Sequence, residues 1–361
     1  MMKRFLAVGV GMLGILAAGI AHAAPVGETH RVTSEPTASL RDAKHRTELR
    51  ITVWYPAAAA AVERPLVVGP PEPPLFDVGA AAPDAAFAAD GERHPVILLS
   101  HGFGGTARIM GWFGIAMARS GYIVVAVDHP GNNAVDEMTV PGATLWWDRA
   151  EDLRAALAAT ERDPDLGAHM DPSRVGVAGF SAGGFTALVA AGARVDPSRF
   201  VRFCLANPDD GVCRPQQEFA VTSQERTKAF AVPEVAAEAA RAGDDHSIPS
   251  VRAAFVMAPA LVQAFDPASL ARIRTPVHIV LGDADMVAPP MTNGRVAAEA
   301  IPNAELERLP GVGHYDFISS CTSAGQVAVP RCKTDVPQVD THLRAITAAE
   351  AFFSRNLTTS Q

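Results

Sequence analysis

The chain has 361 residues, of which 48% are hydrophobic and 19% are charged, and its formal net charge is −8. This apolar content excludes an intrinsically disordered chain, which lacks the hydrophobic surface that offsets the entropy of ordering. The acidic balance, without any run of Lys and Arg, excludes the basic footprint by which proteins bind nucleic acids.

The first 23 residues have the pattern of a secretory signal peptide. Lys3 and Arg4 precede an apolar run over residues 5–20, and the segment Ala21-His22-Ala23 supplies the small residues of a cleavage site. The apolar run is shorter than the ~20 residues that span the hydrocarbon of a membrane. We therefore expect cleavage after Ala23, a mature chain without a membrane span, and a periplasmic or secreted location.

Residues 24–93 precede the part of the chain in which predicted strands and helices alternate. Alternating apolar residues over 29–56 predict β-structure, most clearly at residues 50–55, where the run ends at Pro56. Residues 57–93 are rich in Ala, Pro and Gly and are predicted to form a long surface loop.

From residue 95 onward, short apolar strands alternate with helical patterns. The strands are predicted at 95–100, 122–127 and 174–178, and the helices at 106–120, 146–161 and 183–191. This alternation indicates βαβ units, and hence a mostly parallel central sheet with helices on both faces. Strands resume at 251–257, 276–281 and 306–309, and a helix over 339–354 ends the pattern.

Residues 194–249 interrupt this rhythm. An insertion of this length within a compact domain is usually functional, so we expect a lid or a substrate-binding excursion. Residues 24–361, with this insertion included, are predicted to be one catalytic domain.

Four cysteines are present, and export places them in an oxidising compartment where disulfides form. Three connectivities are possible. We favour Cys204–Cys213 with Cys321–Cys332, because each pair closes a local loop. The alternative, a metal site, has no C-x-x-C or H-x-x-x-H spacing to support it.

The sequence Gly179-Phe180-Ser181-Ala182-Gly183-Gly184 lies between a predicted strand and a predicted helix. A G-x-S-x-G motif in this position is typical of a nucleophile elbow, a strained turn that presents the serine Oγ above the edge of the sheet. The competing interpretation is an ordinary strand-to-helix turn in which Ser181 caps the helix.

A nucleophile elbow requires an acid and a histidine, which follow the serine in the chain in that order. Asp285 follows the strand predicted at 276–281 and is the first choice, with Asp283 in reserve; either residue can instead cap the following helix. His314 lies on a glycine-flanked loop, and His342, in the terminal helix, is the weaker candidate.

These residues together can activate a serine hydroxyl. The Nε2 atom of His314 would accept the Ser181 proton, while Asp285 would fix the imidazole tautomer and stabilise the imidazolium. The amides of Ala182 and of Phe103, in the loop over residues 101–105, would form the oxyanion hole. Such chemistry needs no cofactor and no metal.

The loop at 101–105 also matches a dinucleotide fingerprint. Gly102, Gly104 and Ala107 fit G-x-G-x-x-G/A, and Asp128 ends the next strand, near the position of a ribose-binding carboxylate. A nicotinamide enzyme would leave the ordered serine, aspartate and histidine unexplained, and it would be unusual in an exported protein. We therefore expect Asp128 and the adjacent His129 to be structural.

Four segments, 101–105, 179–184, 282–289 and 311–314, together resemble the α/β-hydrolase superfamily over about residues 50–354. Within it, the chain is similar to exported dienelactone-hydrolase-like proteins, platelet-activating-factor acetylhydrolases and bacterial cutinases. The resemblance implies the α/β-hydrolase fold and ester hydrolysis by a Ser-His-Asp triad.

The details of the resemblance bear on two positions. The D-M-V-A-P stretch that begins at Asp285 is similar to the acid loop of cutinase-type polyesterases, which favours Asp285 over Asp283. Dienelactone hydrolases use a cysteine nucleophile where this chain has Ser181, so dienelactone is not an implied substrate. The insertion at 194–249 departs from the minimal cutinase plan and is expected to cover the pocket.

We therefore predict an exported serine hydrolase that cleaves a small-molecule, lipid or polymer ester through an acyl-enzyme. An acyltransferase or a peptidase would use the same site with a different acceptor or substrate. A non-catalytic binding protein on this scaffold is the third alternative, against which the presence of every part in order argues.

Overall fold

The computed structural model describes residues 24–358, so the predicted signal peptide at residues 1–23 lies outside the described residues. Within the described part, a search for helices long and apolar enough to cross a membrane finds none. The architecture is a large twisted sheet with helices on both of its faces.

Eleven strands form the sheet in the described range. They are β1 (Val26–Ser34), β2 (Glu48–Pro56), β3 (Arg64–Val68), β4 (Phe76–Pro83), β5 (His94–Ser100), β6 (Ile123–Asp128), β7 (Met170–Phe180), β8 (Val251–Met257), β9 (Val277–Gly282), β10 (Glu305–Leu309) and β11 (Ser320–Cys321). Their order is β10-β9-β8-β7-β5-β6-β2-β1-β4-β11, and β3 pairs with β4. The six strands from β10 to β6 are mutually parallel, whereas β2 is antiparallel to β6.

Within residues 24–358, twelve α-helices accompany these strands. They are α1 (Ala38–Arg41), α2 (Gly111–Arg119), α3 (Val140–Thr144), α4 (Asp148–Arg162), α5 (Ala182–Ala190), α6 (Pro197–Ala206), α7 (Ser223–Phe230), α8 (Pro233–Ala240), α9 (Pro267–Leu270), α10 (Gly294–Ala300), α11 (Ser323–Ala328) and α12 (Gln338–Asn356). Short 3₁₀ turns lie at Arg108–Met110, Gly167–His169, Gly211–Cys213, Val262–Ala264, His314–Phe317 and Pro330–Cys332.

The central strands are apolar throughout because both faces of the sheet are covered. Ile97 and Leu98 are consecutive in β5 and therefore point to opposite faces, yet both are completely buried. Leu98 packs in the cluster that includes α4 and α5, and Ile97 packs in the cluster that includes α2 and α12. The strands thus form the middle layer between two helical layers.

The insertion between α5 and β8 contains three helices, two of which begin with a side-chain cap. Asp196 caps α6 by accepting a hydrogen bond from the Ser198 amide, with Pro197 as the first helical residue. Thr222 and Glu225 form a capping box at the start of α7. Because α6 and α7 are capped at their N-termini, a polar, proline-containing segment can fold into short helices on the main domain.

The α/β-hydrolase fold class predicted from the sequence is confirmed, with the same order of strands and helices. One local prediction is wrong: residues 57–93 are not a single loop, because they contain β3 and β4. The β4 sequence, Phe76–Pro83, is mostly Ala, Gly and Pro, which have low β-propensity. Its pairing with β3, β11 and the first residues of β1 supplies the stability that its own residues do not.

Candidate active site

Ser181 lies in a sharp turn between β7 and α5. Its backbone has φ +57° and ψ −118°, a conformation that residues with a side chain rarely adopt. The Ser181 amide donates a hydrogen bond to the Met257 carbonyl oxygen of the neighbouring strand (2.9 Å), which holds the turn in place. The arrangement is that of a nucleophile elbow.

The glycines of the motif are required by close backbone contacts. A Cβ atom on Gly179 would collide with the carbonyl oxygen of Gly183, and one on Gly183 would collide with the carbonyl oxygen of Ser100. The helix that follows Ser181 can approach β7 and β5 so closely only because these positions lack side chains. The motif is therefore a packing requirement of the elbow.

The structure brings Ser181, His314 and Asp285 together in a hydrogen-bonded row. The distance from Ser181 Oγ to His314 Nε2 is 2.9 Å, and His314 Nδ1 lies 2.6 Å from Asp285 Oδ2. All three residues are buried. Because Nδ1–H donates to the carboxylate, Nε2 is left unprotonated and can accept the serine proton.

Backbone amides fix the Asp285 carboxylate. Its Oδ1 atom accepts hydrogen bonds from the amides of Val287 and Ala288, each at 2.8 Å. The other oxygen is thereby aimed at His314, and the carboxylate cannot turn away without losing both amide contacts. This loop follows β9, as the sequence predicts.

The reserve candidates take other roles. Asp283 accepts a hydrogen bond from the Gly311 amide at 2.7 Å and lies 3.8 Å from Arg308, so it braces the loop that carries His314. His342 stacks on Trp112 and donates from Nε2 to the Ile318 carbonyl oxygen (2.9 Å). Burial lowers the pKa of His342 to about 4.

The two predicted oxyanion donors face the same cavity as Ser181. Ala182 begins α5, where the first amides have no partner within the helix. Phe103 occupies the second position of a turn that is closed by a hydrogen bond from the Gly105 amide to the Gly102 carbonyl oxygen (3.1 Å). The Gly104 amide donates to Asn132 Oδ1 at 2.9 Å, which ties this turn to the next loop.

A buried arginine, which the sequence analysis did not single out, connects these parts. The Arg149 guanidinium, on α4, donates to the His101 carbonyl oxygen and lies 3.0 Å from Thr186 Oγ1 of α5. It also contacts Asn132 Oδ1 at 3.3 Å. Burial lowers the pKa of Arg149 to about 9. Nothing in a helical sequence pattern distinguishes such a residue from a surface arginine.

His129 and Asp128, which were expected to be structural, lie behind the site. His129 Nδ1 is 2.8 Å from Asp152 Oδ2, and its pKa is lowered to about 3 by burial. Asp128 accepts a hydrogen bond from the Ala107 amide at 2.8 Å and pairs with Arg50. The Asp128 carboxylate is thus used to hold the end of the loop that matched a dinucleotide fingerprint.

Two cavities meet at Ser181. The larger, of about 340 Å³, lies under the insertion and is lined by apolar residues that include Phe200, Val201 and Val212. The smaller, of about 140 Å³, lies on the side of His314. Of the two cavities, His314 lines only the smaller.

The four cysteines form two disulfides in the structure, Cys204–Cys213 and Cys321–Cys332. Cys204 and Cys213 line the larger cavity. Across residues 24–358, no group of three or more His, Cys, Asp or Glu side chains is arranged to hold a metal ion.

The insertion also contacts the smaller cavity through Glu218. This carboxylate accepts a hydrogen bond from the Tyr315 hydroxyl at 3.1 Å and lies 3.4 Å from Arg331 Nε. The Arg331 guanidinium lies over the Tyr315 ring, 5.5 Å from its centre. These three residues, the Glu218 cluster, join the insertion to the turn that contains His314 and to the turn at Pro330–Cys332.

Comparison with known proteins places this geometry in a family. The family model described as serine aminopeptidase, S33, matches residues 91–317, more than half of the chain, and spans all three residues of the row. A ferulic acid esterase from Streptomyces cinnamoneus has a similar structure, with a TM-score of 0.61 and 20% sequence identity, over 94% of this chain and 92% of that one. That similarity bears on the fold alone. No curated protein matches the chain in sequence.

Proposed function

The chain belongs to the serine aminopeptidase S33 family of α/β hydrolases, and from this premise we propose that it is an exported serine esterase. Its substrates would be carboxylic esters, cleaved through an acyl-enzyme by Ser181, His314 and Asp285. The observation that carries the proposal is the hydrogen-bonded row from Ser181 Oγ through His314 to Asp285, placed at the junction of two cavities.

In this mechanism Ser181 is the nucleophile and His314 transfers the proton. Ser181 Oγ attacks the ester carbonyl while His314 Nε2 takes its proton, and the negative oxygen that develops is stabilised by the Phe103 and Ala182 amides. His314 then gives the proton to the leaving alcohol. A water molecule then attacks the acyl-enzyme in the same way that Ser181 attacked the ester, and the acid is released.

Ester hydrolysis is favoured over aminopeptidase activity by the charges near Ser181. An aminopeptidase must bind the positive α-ammonium group of a peptide, which calls for a carboxylate whose charge is not already balanced. The negative charge of Glu218 at the smaller cavity is balanced by Arg331, 3.4 Å away. The larger cavity has mostly apolar walls.

The proposal includes a cap and a location. The insertion at residues 194–249 would cover the substrate, which is supported by the contribution of Phe200, Cys204 and Val212 to the wall of the larger cavity. The two disulfides support export to the periplasm or the exterior, where they persist.

The test is a series of p-nitrophenyl esters from acetate to palmitate, assayed with the mature chain and with Ser181→Ala. Turnover of at least one ester that is lost in the variant supports a serine esterase. Added alcohols that divert the acyl group from water would instead indicate a transferase. A folded wild-type protein with no turnover of any ester, and no reaction with a phosphonate, would overturn the proposal and favour a binding protein.

A further inference from the structure

The position of His314 gives the two cavities at Ser181 different roles. As the general acid, His314 must reach the oxygen of the departing alcohol, so the alcohol has to lie on its side of the serine. Of the two cavities that meet at Ser181, His314 lines only the smaller one. The leaving alcohol therefore belongs in the cavity of about 140 Å³, and the acyl group belongs in the cavity of about 340 Å³.

Most of the walls of the larger cavity are apolar, although Arg214 and Arg226 also line it, so it suits an acyl group with an apolar chain. Its walls from the insertion include Phe200, Val201, Leu205 and Val212, together with the disulfide. Trp146 contributes its ring, and its indole N–H is already hydrogen-bonded to the Ala143 carbonyl oxygen at 2.7 Å. The indole therefore offers the acyl group apolar surface and no unsatisfied donor.

The smaller cavity has a polar end formed by the Glu218 cluster. Glu218 and Arg331 lie 3.4 Å apart, so their charges balance each other. A charged alcohol would meet the like-charged member of this pair, whereas a neutral hydroxyl can donate to the carboxylate or accept from the guanidinium. Among residues 24–358, the Arg331 guanidinium pairs with a side chain only through Nε, and its terminal nitrogens are left to donate to a ligand.

We propose that the enzyme is selective for esters that join an apolar acyl chain to a small, neutral, hydroxyl-bearing alcohol, with Arg331 and Glu218 as the residues that recognise the alcohol. This proposal rests on the proposed esterase function. It assigns the two halves of the substrate to named cavities.

Two isomeric esters test the assignment directly. Ethyl hexanoate and hexyl acetate have the same formula, but the first places the long chain in the acyl group and the second places it in the alcohol. We expect kcat/KM to be at least about tenfold higher for ethyl hexanoate, because each methylene that enters an apolar cavity is worth about fourfold. Equal values, or a preference for hexyl acetate, would overturn the assignment. No hydrolysis of either ester, or of any p-nitrophenyl ester, would instead count against the esterase function itself.

Two tryptophan variants separate the cavities. Val201 lines the larger cavity and Ala134 the smaller, and both are exposed enough to be replaced without disturbing the core. Val201→Trp should lower the ethyl hexanoate to hexyl acetate ratio, and Ala134→Trp should raise it. Ala206→Trp, at an exposed position at the end of the same helix as Val201, should leave the ratio unchanged. Shifts in the same direction from the first two variants would contradict the proposal.

The hydroxyl preference is tested with 2-hydroxyethyl hexanoate against ethyl hexanoate. The wild type should favour the hydroxylated ester by about tenfold, the value of one good hydrogen bond to a charged group. Arg331→Met should reduce this preference to near one, while its effect on ethyl hexanoate measures any general loss. A wild type that does not distinguish the two esters would overturn this part of the proposal.

Discussion

His129 Nε2 lies 2.8 Å from Ser100 Oγ, and the other nitrogen of the same ring lies 2.8 Å from Asp152 Oδ2. The molecule thus contains a second Asp-His-Ser row, with distances close to those of the row at Ser181. All three of its residues are completely buried. The hydrogen-bond distances alone therefore do not show which serine is the nucleophile. Access of the substrate to the serine distinguishes the two rows.

We expect a fluorophosphonate to label Ser181 and not Ser100. The Ser181→Ala variant should lose all labelling although the second row remains intact, because Ser100 is completely buried. The Ser100→Ala variant should still give an adduct, mapped to the Ser181 peptide by mass spectrometry. An adduct on Ser100 in either protein would contradict this reading of the two rows.

The two aspartates after β9 should differ sharply in their effect on catalysis. Asp285→Asn leaves the imidazole without its partner carboxylate and should lower kcat/KM for p-nitrophenyl butyrate by about 10⁴-fold. Asp283→Asn weakens only the contacts with Gly311 and Arg308 and should cost less than about tenfold. Equal losses in the two variants would show that the acid has been assigned to the wrong residue.

Arg149 should act on kcat through the oxyanion loop. Arg149→Met removes the contacts from α4 to His101 and Thr186, so the Phe103 amide is no longer held in place; we expect kcat to fall by about 10²-fold with little change in KM. The affinity for a boronic acid, which forms a tetrahedral adduct, should fall in parallel.

Active-site titration serves as the control for Arg149, because a partly unfolded variant would lose titratable sites while the remaining ones kept their full kcat. Arg149→Lys, which keeps the positive charge, should fall between the wild type and Arg149→Met. Unchanged kcat per titrated site in Arg149→Met would contradict a positioning role.

Removal of the Cys204–Cys213 disulfide should alter substrate preference more than stability. The variant with both cysteines replaced by Ser should show a changed acyl-length profile, since these residues line the larger cavity. A local cross-link of this size contributes about 2–3 kcal/mol to the free energy of unfolding, so the protein should remain folded. The matched control replaces Cys321 and Cys332, which do not line that cavity. Identical acyl-length profiles in the two variants would be the contrary result.

Acid should destabilise the protein in part through His342. Burial places its pKa at about 4, below the ordinary value of 6.5. Between these two pH values the unfolded chain binds a proton that the folded chain does not, so the free energy of unfolding falls as the pH falls, by about 3 kcal/mol at pH 4. Above pH 6.5 this contribution to stability is fully present.

Urea denaturation at pH 7 and at pH 4.5 measures this effect. His342→Gln loses the stacking on Trp112 and should be less stable at pH 7, but its stability should change less between the two pH values than that of the wild type. His45→Gln, at an exposed position, should keep the wild-type difference. A His342→Gln protein with the full wild-type difference would contradict the expected contribution.

The sequence was most informative where chemistry and backbone constraint coincide. Ser181 could be recognised because the elbow cannot form without glycines at 179 and 183, and Asp285 and His314 because each follows a strand at the same edge of the sheet. The structure assembles these three residues, and their catalytic roles stay predictions until they are measured. The two disulfides join cysteines close in the sequence, so spacing sufficed.

Contacts between residues far apart in the chain could not be predicted from the sequence pattern. Arg149 and His129 contact the loop at 101–105 from distant segments, and Asp152 in turn contacts His129. An amphipathic helix pattern does not indicate which charged residue turns inward. Glu218 lies in a polar insertion, and its partners Tyr315 and Arg331 come from a distant segment of the chain. The strand β4 depends on its neighbours, because pairing rather than propensity holds it in the sheet.

The order of the site residues along the chain has a consequence for the newly made protein. Ser181 and its hydrogen-bond partner His314 are 133 residues apart, and the acid lies between them. Because synthesis proceeds from the N-terminus, the serine emerges long before any base can reach it. With the proposed function, the unfinished chain would therefore leave the esters of the cell that makes it intact, and activity would begin only when the segment that carries His314 has docked.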